Sequence, residues 1–191
     1  MKTIWILLLV LMIPYGVPAK LRTLNSADSA GHYIKPVRGY RVPSINQNTL
    51  FYIQRDPNSN TIFYELNVDP DGQLNKANPV HVYWVKYNER GQQEELNFIQ
   101  RKFAYGVNVK MVNNDDYDIT FVSYKKYPLE LMRTQDGKYH IFANIDNKKA
   151  ILKSVFVRIE GGSFWIPNIL YVEVKGIDPE TGKEITGRFK P

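Results

Sequence analysis

The sequence predicts a mainly β protein, an antiparallel β-sandwich or flattened barrel of about eight to ten strands with one short amphipathic helix. Three observations carry this. From Thr49 onward, runs rich in Val, Ile, Phe and Tyr recur at intervals of about a dozen residues. Within the runs apolar and polar residues alternate, so one side of each faces a core and the other faces water. Clusters of Asn, Asp, Gly and Pro separate them.

Taken in order, the chain opens with Met1, Lys2 and Thr3, followed by an unbroken apolar run from Ile4 to Ile13. Pro14 and Gly16 then end any helix, and Val17-Pro18-Ala19 offers a cleavage site. This is the order of a secretory signal, with processing expected after Ala19. The run is half the ~20 residues that cross a bilayer, so no transmembrane helix is expected in the mature chain. Residues 20–48 contain Pro36 and Pro43 and no sustained periodicity, and read as a partly disordered leader or a strap lying over the domain. Residues 49–191 form the single β-rich domain.

Four strands can be read by parity. Ile62, Tyr64, Leu66 and Val68 share one side, with Thr61, Glu65 and Asn67 around Phe63 on the other. Tyr139, Ile141, Ala143 and Ile145 oppose Lys138, His140 and Asn144. Ile151, Val155, Val157 and Ile159 share a side, and Leu170, Val172 and Val174 oppose Tyr171, Glu173 and Lys175. Residues 80–87 are apolar on both sides and are expected to form the most central strand. The helix is expected over 94–105, where Leu96, Ile99 and Phe103 recur at helical spacing to close one end of the sheet. Acidic residues open it, Arg101 and Lys102 close it, and Gly106 stands at the C-cap position.

Composition narrows the function classes. There is no cysteine, so no disulfide framework, thiolate nucleophile or Cys-type zinc site exists. The net charge of +6 becomes +5 once Lys2 leaves with the signal peptide. The basic residues are scattered, the densest points being the pairs Lys125-Lys126 and Lys148-Lys149. A solvated surface attractive to anionic lipid or polysaccharide is the reading, and no nucleic-acid partner is expected. No cofactor is expected either: phosphate cradles and dinucleotide fingerprints are missing from the sequence.

Site motifs are weak. Asn67, Asp69 and Asp71 followed by Gly72 match the opening of a calcium loop, but its twelfth position is Asn78, a neutral amide. A plain Asx turn explains the same residues. The acids Asp115, Asp116 and Asp118 suit a solvated hairpin. His32, His81 and His140 lie apart, with no ligand spacing among them. Gly161-Gly162-Ser163-Phe164-Trp165 begins like a nucleophile elbow, but Trp165 replaces the final glycine. Glu65, Glu94, Glu95, Glu160 and Glu173 are the carboxylates from which glycoside chemistry would draw a pair.

Several strings together look familiar: Phe51-Tyr52-Ile53-Gln54-Arg55, Asn58-Ser59-Asn60-Thr61-Ile62, Tyr64-Glu65-Leu66-Asn67, Val82-Tyr83-Trp84 and Ile99 to Gly106. With the closing Tyr171 to Gly176 and Asp178 to Lys183, they resemble an exported bacterial family known as domain of unknown function 4833. The resemblance implies an export context and brings no activity, ligand or catalytic residue.

The favoured reading is a non-enzymatic binding or envelope-associated module, periplasmic or at the cell surface. Arg55, Tyr64, Tyr83, Trp84 and Arg101 are the candidate contact residues, because arginine and aromatic side chains dominate recognition surfaces. Envelope glycan, lipid or protein are the partners considered. One alternative is a hydrolase of an envelope polysaccharide using paired carboxylates. Another is a small-molecule carrier with a hollow barrel.

Overall fold

The computed structural model describes residues 39–162 and 167–191. The signal peptide, most of the leader and the Ser163–Trp165 part of the elbow-like string lie outside them. The strands are β1 (Thr49–Arg55), β2 (Asn58–Leu66), β3 (Val80–Val85), β4 (Gln93–Glu95), β5 (Val107–Met111) and β6 (Tyr117–Phe121). There follow β7 (Pro128–Arg133), β8 (Tyr139–Ile145), β9 (Lys148–Gly162), β10 (Pro167–Ile177) and β11 (Glu184–Phe189), with α1 (Phe98–Phe103) between β4 and β5. The mainly β class is as the alternation predicts, with eleven strands.

All belong to one sheet of order β4-β3-β2-β1-β9-β8-β7-β6-β5, from which β10 and β11 branch at β9. β2 and β6 are far apart in that order, yet the Tyr64 and Phe121 rings meet edge to face at 5.8 Å. Phe121 meets Phe51 of β1 in the same way at 6.1 Å. The sheet must therefore curl on itself, and it forms an open half-barrel with its core on the concave side. Phe51, Ile62, Tyr64, Tyr117, Leu131, Ile141 and Leu152 fill that interior, where a carrier would be hollow.

β9 organises the whole. β8 pairs with it over Lys148–Ile151 and β1 over Ser154–Val157, while β10 runs along it from Ile151 to Gly162. Because β10 shares residues of β9 with both, β8 and β1 must follow one another along its other edge. The β1–β9 pair is parallel, so the sheet is antiparallel in all pairs but that one. The two-residue turn Asp146-Asn147, with φ of 50° and 62°, joins β8 to β9 as a hairpin twisted to match its strands.

Two expectations need correction. Residues 80–87 do not form the central strand: β3 stands next to last, with only the three-residue β4 beyond it. It is apolar on both sides because the convex face is itself covered. There Tyr83, Phe63 and Tyr52 stand in register across three strands, with Phe63 and Tyr83 stacked at 5.6 Å. Residues 39–44 lie over this face: Gln54 Nε2 donates to the Arg41 carbonyl at 2.8 Å, and Tyr40 packs edge to face on Phe156 at 4.9 Å. Hence Thr61, Phe63 and Glu173, expected to face water, are buried.

The helix also differs. It spans only Phe98–Phe103, while Gln93–Glu95 are extended. Its N-terminus is a reciprocal capping box, with Asn97 Oδ1 accepting from Gln100 N–H at 2.9 Å and Gln100 Oε1 accepting from Asn97 N–H at 3.0 Å. That box turns Gln100 inward and rotates the apolar stripe outward. Gly106 is not a positive-φ cap; a Cβ there would lie 1.9 Å from the Arg101 carbonyl oxygen.

Candidate functional site

Parity carries two cations into the concave face at its rim. On β1, Arg55 continues the inward series Phe51 and Ile53. Beyond β3, Lys86 continues Val82 and Trp84. Both are buried, Arg55 at 9% and Lys86 at 7% exposure. Trp84 stands between them: its ring centroid is 6.0 Å from the Arg55 guanidinium carbon and 5.2 Å from Lys86 Nζ. Tyr105 closes the cluster, edge-on to Trp84 at 4.9 Å. Its hydroxyl is hydrogen-bonded with Arg55; burial raises its pKa, and the Arg55 charge opposes that rise.

The polar balance of this cluster is uneven. Arg55 Nη1 donates to the Asp56 carbonyl at 3.2 Å. The Asp56 carboxylate, however, turns away, accepting from Ile159 N–H at 2.9 Å, from Arg158 Nη1 at 3.2 Å and from the Tyr40 hydroxyl. Arg55 Nε–H and Trp84 Nε1–H are buried without an acceptor. Lys86 faces Glu94 at 3.6 Å.

The structure brings together Arg55 and Trp84 among the five candidate contact residues and separates the others. Tyr64 lies deeper on the same face, stacked on Phe51 at 4.3 Å, and its hydroxyl donates to the Tyr105 carbonyl at 2.8 Å. Burial pushes that hydroxyl's pKa well up, and its role is to seat Tyr105. Tyr83 is on the convex face, hydrogen-bonded with Glu65, and burial again raises its pKa. Arg101 lies on α1, reaching Glu95 at 3.5 Å. Sequence reasoning missed Lys86 and Tyr105. The signal for Lys86 was there: a lysine in phase with Val82 and Trp84.

Four of the five carboxylates considered for hydrolysis have partners. Glu173 is buried between Arg188, at 2.5 Å, and Lys175, at 3.6 Å. Glu95 contacts His81 at 2.8 Å, Glu94 contacts Lys86, and Glu65 accepts from Asn46 Nδ2 at 2.8 Å. Glu160 is exposed near the end of β9. In the calcium-like loop, Asp69 Oδ1 accepts from Gln73 N–H at 2.8 Å and Asn67 Nδ2 donates to the Asn78 carbonyl at 2.8 Å. Asp71 is exposed. The described residues contain no cluster of acids and histidines able to hold a metal ion. Nor does any described helix have the length and apolarity to cross a membrane.

A second surface is created by α1. Phe98 is 72% exposed, and Ile99 and Phe103 are each 46% exposed. Lys102 Nζ lies 5.3 Å from both the Phe98 and Phe103 rings. The helix end is tied to the loop after β6, where Ser123 Oγ donates to the Ala104 carbonyl at 2.7 Å and Val122 N–H to the Gly106 carbonyl at 3.0 Å. That loop carries the exposed Lys125 and Lys126. Aromatic and aliphatic side chains thus project from a helix that carries Arg101 and Lys102 and whose end is tied to the loop bearing Lys125 and Lys126.

A family model described as Domain of unknown function (DUF4833) matches residues 51–188. Nothing among curated proteins or solved structures matches the chain.

Proposed function

The chain belongs to the family described as domain of unknown function 4833, and from its own residues we propose that it is a non-enzymatic binding module that docks on an anionic membrane surface of the cell envelope. The outward apolar side chains of α1 carry this reading. An apolar helix face left in water is unfavourable unless something covers it. Phe98, Ile99 and Phe103 share α1 with Arg101 and Lys102, and the loop tied to its end carries Lys125 and Lys126, so the covering surface should combine hydrocarbon with negative charge. A phospholipid interface does so: rings enter the acyl boundary while lysines meet headgroup phosphates. The signal peptide expected at residues 1–19 would bring the domain to that surface. The hydrolase alternative is less favoured because Glu65, Glu94, Glu95 and Glu173 are held by hydrogen-bonding or charged partners of their own.

Vesicle flotation tests the proposal. The processed protein should float with phosphatidylglycerol-containing vesicles and stay behind with pure phosphatidylcholine, and added salt should weaken binding. Phe98→Ser with Phe103→Ser should reduce partitioning at least about tenfold, since burying one such ring is worth roughly 1.5–3 kcal/mol. Equal binding to neutral vesicles, or binding untouched by the double substitution, would dismiss the proposal.

A further inference from the structure

We infer that the rim cluster of Arg55, Trp84 and Lys86 is a binding site for a small oxyanion, a carboxylate or phosphate group. The cluster is made almost wholly of donors. Guanidinium, indole N–H and ammonium cannot accept a hydrogen bond, so none can satisfy another. Buried charges are ordinarily paired, because removal from water is costly. Among the described residues no carboxylate lies within ion-pair distance of Arg55, and the nearest acid in sequence, Asp56, is held by Arg158, Tyr40 and the Ile159 amide.

Two buried N–H groups also point where no protein acceptor stands, Arg55 Nε and Trp84 Nε1. Each would reach an oxygen at about 2.9 Å. The guanidinium carbon stands 6.0 Å from the Trp84 ring centroid, so the two donors belong to one cluster, and the inferred oxyanion would accept from both. Lys86, 5.2 Å from the same ring and ion-paired with Glu94 at 3.6 Å, adds positive charge at the cluster's edge. Tyr105 holds the guanidinium in place, and Tyr64 holds Tyr105. The site lies at the rim, where Arg55 ends β1 just before the turn into β2. It is separate from α1's apolar side chains and does not depend on membrane docking.

Nitrogen-15 NMR on the full processed protein, without lipid, tests this. The Arg55 Nε–H and Trp84 Nε1–H resonances should shift saturably on titration with acetate or with inorganic phosphate, and the stronger of the two identifies the headgroup chemistry. Sodium chloride at matched ionic strength should not reproduce the shift. Arg55→Lys keeps the charge but loses the fork and should weaken the response about tenfold. If that variant fails to fold, Lys86→Met serves, with a smaller weakening expected. Titration that leaves both resonances unmoved, or moves them equally with chloride, overturns the site. Phe98→Ser with Phe103→Ser should leave it intact, so its failure and that of the membrane proposal are distinguishable.

Discussion

His140 on β8 is half-buried on the convex side, where the ammonium groups of Lys153 and Lys138 face it together with the Asp136 carboxylate. Burial first, and then Lys153, hold its pKa below the ordinary 6.5; Lys138 adds to this and Asp136 opposes it. The folded state therefore binds a proton less readily than the unfolded chain. Stability attributable to this residue is complete above 6.5, falls as pH drops through that value, and levels off below the folded pKa. His140→Gln should flatten that slope in urea midpoints measured just below neutrality, and the ring should titrate below 6.5 by NMR. A midpoint at or above that value refutes the assignment. At this scale much was legible. Ile141, Ala143 and Ile145 are buried as alternation predicts. The burial of Thr61 and Phe63 was not legible, since it depends on residues 39–44 lying across from another part of the chain.

The elements show where local pattern stops being sufficient. Leu96, Ile99 and Phe103 have helical spacing, and a helix does form there. Spacing alone could not tell which side would face the sheet. The capping box between Asn97 and Gln100 decided that by drawing a polar side chain inward, and Leu96, already beyond the helix, became the buried anchor. Gly106 follows the same lesson. It looks like a helix-stop glycine, yet what it provides is room for the Arg101 carbonyl, with 1.9 Å to a would-be Cβ. Gly106→Ala must displace the end of α1 or the start of β5. A loss of about 1–3 kcal/mol is expected, as for other overpacked sites. An unchanged urea midpoint would contradict this close approach.

For the molecule as a whole, the mainly β class follows from periodicity, but the order of strands does not. Parity says which side of a strand is buried and nothing about its neighbours, so it places the two-sided apolar run of β3 at the centre and cannot indicate the parallel β1–β9 pair. With β9 at the hub, amide exchange should be slowest at Ser154–Val157, paired on both edges, and fastest in β4 and β5 at the ends of the path. Hydrogen-exchange mass spectrometry showing the reverse would mean a different sheet order. The pairing of Tyr52 with Ser154, and of Asp56 with Arg158 102 residues further along, also sets a timetable for the nascent chain. Contacts so distant in sequence close slowly, because the entropy of a long loop is lost before they return anything. A polypeptide emerging amino end first from a ribosome holds β1 with one edge open until Ser154–Val157 of β9 have appeared. The half-barrel thus closes only once most of the domain has been made, and until then its earliest strands stay pliable.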